Sequence, residues 1–351
     1  MARLAPLLAI GAALVLAGTP ARAFHGGGVA SCGSCHVTHN SADGSPIVPG
    51  PANDYALRST TASELCLLCH AQSAGMVLGL NPLAPPPERG GGNFVFLLEE
   101  NLNDAADGAT RPIAGSAAGH NLVAPVFGLT ADTRHGVSPG GSFPAAEMGC
   151  TSCHDPHGRS NFRMLWGAGT IRNGLFVFGA PAPEASGLPL TAGAVEGRGA
   201  HSAYVSGMSA WCGNCHGDYH RTVGTERFEH PNDALLTIAV VDQYNRYQGV
   251  LNPTSGSPLD AYLPEVPFED VAAAVGSTAG PTSTSRLSCL SCHRAHASSA
   301  PAAGRWDFAI ATLGADGVVS GSWPIPNPYG DPSQPALCWK CHAGGAAPPT
   351  P

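Results

Sequence analysis

The sequence predicts a mostly irregular, coil-rich chain with short helices and few strands, and three observations predict it. Gly 45 and Pro 32 together make about a fifth of the 351 residues, near the range where composition alone suggests disorder. Charged residues are only 12%, roughly half the usual share, which argues against a solvated disordered polymer. The pattern CxxCH occurs six times: Cys32-Gly-Ser-Cys35-His36, Cys66-Leu-Leu-Cys69-His70, Cys150-Thr-Ser-Cys153-His154, Cys212-Gly-Asn-Cys215-His216, Cys289-Leu-Ser-Cys292-His293 and Cys338-Trp-Lys-Cys341-His342. Two thiols a helical turn apart can form thioethers to one porphyrin, and the histidine after them then falls under the iron as proximal ligand. These facts reconcile if haem forms the core, because loops rich in Gly and Pro can wrap a large apolar porphyrin face. The expected architecture is an elongated multihaem c-type cytochrome with a haem-based core.

A lone CxxCH is a moderate signal, since zinc sites and redox dithiols also use CxxC. Here the six motifs consume all 12 cysteines and leave none for a disulfide, a lipid anchor or a catalytic thiol. Zinc ribbons need paired CxxC units, and nothing in that chemistry demands a histidine after every second cysteine. Six covalently bound haem c groups are therefore expected.

In chain order, residues 1–23 read as a secretory signal. Arg3 gives the positive start, Leu4 to Leu16 the apolar core, and Ala21-Arg22-Ala23 the cleavage site. A membrane anchor is the weaker reading, because the apolar run is short and ends in Gly-Thr-Pro. No later run approaches the roughly 18 apolar residues of a membrane span. Residues 24–351 then form a single hexahaem unit. Its motifs start at 32, 66, 150, 212, 289 and 338, too irregularly for a solenoid, and no gap between them reads as a domain linker. Arg3 and Arg22 leave with the signal and no acid does, so the formal net charge of −8 falls by two, to −10. Lys340 is the only lysine and the formal charge is negative, which argues against nucleic-acid binding, a function that needs basic patches.

Local signals between the motifs are sparse. Glu64 to His70 and Ala145 to His154 are expected as short helices carrying haem cysteines, the second capped by Ser142 before Pro144. Phe94 to Leu98 reads as a short strand. Asp233 to Gln248 reads as the best helix, with Leu236, Val240 and Tyr244 on one face, Asn232 or Asp233 as cap and Gly249 after its end. Segments 81–92, 179–200 and 251–286 read as loops.

Of the 15 histidines, six are proximal, which leaves His25, His39, His120, His135, His157, His201, His220, His230 and His296. Methionine is the alternative sixth ligand, but past the signal only Met76, Met148, Met164 and Met208 are available. With histidine in surplus, bis-histidine ligation and low potentials are expected throughout. His39, His157 and His296 each stand three residues after the proximal histidine of motifs one, three and five. Three residues advance a helix by about 4.5 Å, so such a histidine starts on the proximal side of its own haem. To bind iron it must reach a different haem, and the competing reading is a surface or supporting histidine. His25, His120, His220 and His230 supply the remaining candidates, about three of the four being needed. His135 and His201 are left as spare, mobile or supporting residues. Trp166, Trp211, Trp306 and Trp339 either pack on porphyrin edges or are buried as ordinary aromatics.

The blocks FHGGGVASCGSCHVTHNS, GCTSCHDPHG, GMSAWCGNCHGDYH, LSCLSCHRAHAS and LCWKCHAG, with TIAVVDQYNRY, resemble the hexahaem outer-surface c-type cytochromes that polymerise into extracellular conductive filaments. The resemblance runs from Phe24 to His342 in the same order, specific in the motif blocks and loose in the loops. It implies one continuous stack of haems in each protomer, wrapped mostly by loops. It also implies a homopolymer in which His39 crosses to a neighbouring protomer and binds its fifth haem. A simple rule agrees: if each odd-motif histidine serves the haem two positions earlier, His296 serves the third and His157 the first. His39 then has no such haem in its own chain.

The leading functional expectation is extracellular electron transfer, with no enzymatic activity. The protein would be secreted through the periplasm to the cell surface and would exchange electrons with redox partner proteins or extracellular acceptors. A monomeric periplasmic electron carrier is the first alternative. A multihaem reductase, which needs an iron with an open position, is the second.

Overall fold

The computed structural model describes residues 31–42, 45–50, 56–71, 77–82, 84–86, 90–98, 102–106, 109–113, 115–172, 176–188, 196–220, 232–314 and 327–343. The expected signal, His25, Met76 and His230 lie outside the described residues. Six α-helices are described: α1 (Cys32–Cys35), α2 (Ala62–His70), α3 (Cys150–Cys153), α4 (Met208–Cys212), α5 (Gly217–His220) and α6 (Ile238–Arg246). The strands pair only as antiparallel ribbons: β1 (Ser41–Ala42) with β2 (Ser45–Pro46), β3 (Leu102–Ala106) with β4 (Ala109–Ile113), β5 (Ile171–Arg172) with β6 (Phe176–Val177), and β7 (Glu184–Ser186) with β8 (Ala203–Ser206). Coil dominates, as the composition predicts. No described helix is long and apolar enough to cross a membrane.

Helix α2 forms because its first turn is fully capped. Thr61 Oγ1 accepts from Glu64 N at 3.1 Å, and Glu64 Oε2 accepts from Thr61 N at 3.1 Å. The other Glu64 oxygen accepts from Val126 N at 3.0 Å, so this buried carboxylate is satisfied by the backbone. Leu67 then drives α2 into a cluster with Leu78, Phe94, Val95, Phe96, Leu122 and Leu129. A second cluster gathers Tyr244, Tyr262, Leu263, Val266, Trp306, Ile310 and Leu337. The chain therefore has side-chain cores of its own beside its motifs.

Three local expectations are corrected. Phe94–Leu97 is a 3₁₀ helix rather than a strand. Asn93 Oδ1 accepts from Val95 N and Gly79 N, and Phe94, Val95 and Phe96 are all buried, so the run has no solvent face to alternate with. The stretch from Ala145 to His154 is not one helix. A 3₁₀ turn (Ala145–Glu147) ends at Met148, Gly149 is extended, and α3 starts afresh; the N-cap position is Pro144, not Ser142. Helix α6 is shorter than Asp233–Gln248 and is capped by Thr237, whose Oγ1 accepts from Val240 N at 3.3 Å. The residues before it pair with another strand of chain instead: Asp233 N donates to Leu287 O and Leu236 N to Ser285 O.

The far end of α6 docks the sixth motif. Lys340 is fully buried, its Nζ donating to Tyr247 O at 2.8 Å and lying 4.5 Å over the Tyr244 ring. A cation at a helix C-terminus meets the outward carbonyls favourably. Gln243 Nε2 donates to Trp339 O at 2.9 Å, completing the dock. Burial pushes the Lys340 amine down to about 7.

Candidate haem-binding sites

The odd motifs share a backbone frame that the sequence does not advertise. In motif three, Asp155 N donates to Met164 O and Trp166 N to Cys153 O; in motif five, Arg294 N donates to Ala303 O and Arg305 N to Cys292 O. Motif one repeats it with Val37 N to Ala56 O and Arg58 N to Cys35 O. Each return strand turns through left-handed residues: Arg163 and Met164, Ala302 and Ala303, and Ala56. None is glycine, so each costs roughly 1–2 kcal/mol.

That strained turn aims a carbonyl at the proximal histidine. His154 Nδ1 donates to Arg163 O at 2.8 Å and His293 Nδ1 to Ala302 O at 2.9 Å. His216 Nδ1 uses Pro139 O at 2.7 Å in the same way. A carbonyl only accepts, so the ring proton sits on Nδ1 and Nε2 keeps its lone pair for a metal.

Even and odd motifs are joined by a second repeated device. Ser63 Oγ, three residues before Cys66, accepts from Cys150 N at 3.2 Å. Ser209 Oγ, three residues before Cys212, accepts from Cys289 N at 3.1 Å. The backbones of motifs two and three are thus tied together, as are those of motifs four and five. The serine at this spacing is legible in ASELC and MSAWC, though its partner is not.

The histidines then meet in pairs. His36 and His157 lie with ring centroids 6.1 Å apart and planes 6° from parallel. His154 faces His296 at 6.4 Å, and His216 faces His120 at 5.9 Å. Two imidazoles trans across one metal ion, each bound at roughly 2.0–2.1 Å, hold their centroids about 6 Å apart. The three pairs therefore fit a haem iron between them. Burial, then the His216 ring, pushes His120 down to about 4, with its Nδ1 donating to Ala295 O at 2.8 Å. Burial, then His154, pushes His296 down to about 3. Both stay neutral, the form that ligates metal.

The remaining candidates are distributed as follows. Burial also lowers His70 and His293, whereas His342 is exposed. His220, at the end of α5, has a buried Nε2 without a hydrogen-bond partner among the described residues. His39 is exposed and left-handed (φ 59°). His135 is also exposed, its backbone N donating to Asp132 Oδ1 at 3.1 Å.

Of the readings spare, mobile or supporting, the structure removes mobile for His201. It is 2% exposed, stacks on Tyr262 at 3.7 Å, and has both ring nitrogens on carbonyls: Nδ1 on Ser202 O and Nε2 on Ser277 O. Neither nitrogen is left for iron. Replacing it with Ala is expected to cost about 1–3 kcal/mol by stranding a buried acceptor, with the haem content unchanged. Denaturant unfolding and the pyridine haemochrome assay check this.

Six CxxCH motifs, imidazoles with the proton held on Nδ1 and facing ring pairs about 6 Å apart together mark a c-type cytochrome. The doubled CXXCH motif family matches residues 143–173. The C-type cytochrome OmcS of Geobacter sulfurreducens is 31% identical over 429 aligned residues, covering 96% of this chain and 98% of that protein. The cryo-EM structure of OmcS nanowires superposes with a TM-score of 0.75 at 28% identity, covering 92% of this chain and 100% of that one. A second solved structure, of the outer membrane cytochrome S filament from Geobacter sulfurreducens, gives 0.77 at 27% over the same shares. The chain belongs to the OmcS family of c-type cytochromes.

Proposed function

We propose that this protein transfers electrons outside the cell, as a filament of head-to-tail protomers that each carry six bis-histidine haems. The observation that carries this reading is the set of three histidine pairs at trans spacing, each joining a proximal histidine to a ring from a remote motif or loop. Haem supplies reversible one-electron exchange at iron, with no substrate bond made or broken. The residues do the rest. Cys32, Cys35, Cys66, Cys69, Cys150, Cys153, Cys212, Cys215, Cys289, Cys292, Cys338 and Cys341 attach the groups. His36, His70, His154, His216, His293 and His342 hold the proximal positions. His157, His296 and His120 complete the first, third and fourth sites, and His220 serves another through its buried Nε2. His25 and His230 remain candidate ligands, and His39 leaves the protomer for the fifth site of its neighbour. The serine-to-backbone ties bring motifs two and three, and motifs four and five, against each other, which favours a relay over isolated centres.

Residues 1–23 export the chain through the periplasm, and residues 24–351 act as one unit. Electrons enter and leave through redox partner proteins or extracellular acceptors, and the protein is a carrier rather than an enzyme. The test is mass and image together. Denatured protein is expected to carry six haems, because thioethers survive unfolding, and purified native protein to form filaments. Fewer than six would remove at least one CxxCH from the set, and monomers alone would favour the periplasmic carrier.

A further inference from the structure

The residue after the proximal histidine occupies the same place in the shared frame of the odd motifs, and it is Val37, Asp155 or Arg294. Only motif three puts an acid there. Asp155 is 6% exposed, and its carboxylate is gripped from two directions. Oδ1 accepts from His157 N at 3.0 Å, and Oδ2 accepts from Arg159 Nε at 2.6 Å. The same Oδ1 lies 3.5 Å from His157 Nδ1. That is long for a strong hydrogen bond but close for a charge. The described ring partners of His120, His154, His216 and His293 are neutral carbonyls. At His296, the counterpart of His157, Nδ1 has no hydrogen-bond partner among the described residues.

We propose that Asp155 is a positioning residue that lowers the reduction potential of the haem held between His36 and His157. A carboxylate beside Nδ1 draws on its proton and raises the basicity of the opposite nitrogen. A stronger donor stabilises ferric over ferrous iron, which lowers the potential. Arg159 Nε holds the other carboxylate oxygen, and its guanidinium lies over Trp166 at 4.8 Å, partly in solvent. The inference rests on His157 being an iron ligand.

The test is Asp155→Asn, with Asp155→Ser as a second neutral variant that keeps an acceptor for His157 N. Both are expected to retain every attached haem and a fully low-spin spectrum. In a potentiometric titration one midpoint should move positive while the others stay, and one low-spin EPR signal should move with it. Unmoved midpoints overturn the proposal, as does an equal shift of all of them, which marks a bulk charge effect. High-spin iron or lost haem in both variants overturns it too, because Asp155 would then only build the loop. His157→Ala, measured in parallel, isolates the underlying assumption: if it leaves every iron low-spin, the ligand reading fails, whatever Asp155 does.

Discussion

His39→Ala is expected to leave every haem attached and to abolish filaments. In the proposed ligand scheme an odd-motif histidine serves the haem two motifs earlier, and His157 stands opposite His36 and His296 opposite His154. His39 has no earlier motif in its own chain, so the scheme would carry it into another protomer. Its backbone suits that role. His39 and Asn40 are both left-handed, at φ 59° and 50°, a conformation that costs non-glycine residues energy. Asn40 secures the turn from inside, its side chain donating to Val48 O and Gly50 O and accepting from Val48 N. His39 is thereby thrown outward. A head-to-tail contact of this kind yields an open filament unless rotation closes a ring. Electron micrographs of the variant, with EPR for one newly water-ligated iron per chain, provide the check; filaments of normal length would falsify the bridging role.

The second large effect is His296→Ala, expected to leave the attached haems in place and to open one iron. The ring faces His154 and stacks on Phe94 at 4.6 Å and 24°. Its removal also empties packed space beside the cluster around Leu67, at a cost of roughly 2–4 kcal/mol. The exposed His157 carries no comparable packing, so His157→Ala should open an iron at little cost in stability. An unchanged low-spin spectrum for His296→Ala would assign that histidine to structure alone.

How much of this was legible follows from where each interaction lies in the chain. The motifs are local, so every candidate attachment cysteine and proximal histidine could be named from the sequence. The coil-rich fold followed from Gly, Pro and few charges. Ligand partners are not local: His120 reaches His216 because its backbone joins His296, with His120 N donating to His296 O at 2.8 Å. No spacing along the chain encodes that contact, and His120 could only be one candidate among several. His201 could be left outside the ligand set, but what holds it could not be read, since its carbonyl partner Ser277 O comes from a distant loop. The helical reading of Asp233 to Gln248 failed at its start for the same reason: residues 285–287 compete for its backbone donors.

Lys340 has a consequence for anyone handling the material. It is the only lysine in the chain, and its amine is enclosed against Tyr247 and Tyr244. Reagents that couple through amines, such as succinimidyl esters and glutaraldehyde, find no side chain to attack on the folded surface and are left with the chain's α-amino group. Tethering to an electrode by amine chemistry would therefore give one attachment point per subunit, in one orientation. Carbodiimide coupling through the 25 Asp and Glu residues would spread the points of attachment. The two immobilisation chemistries should thus present differently oriented films of the same protein to a metal surface.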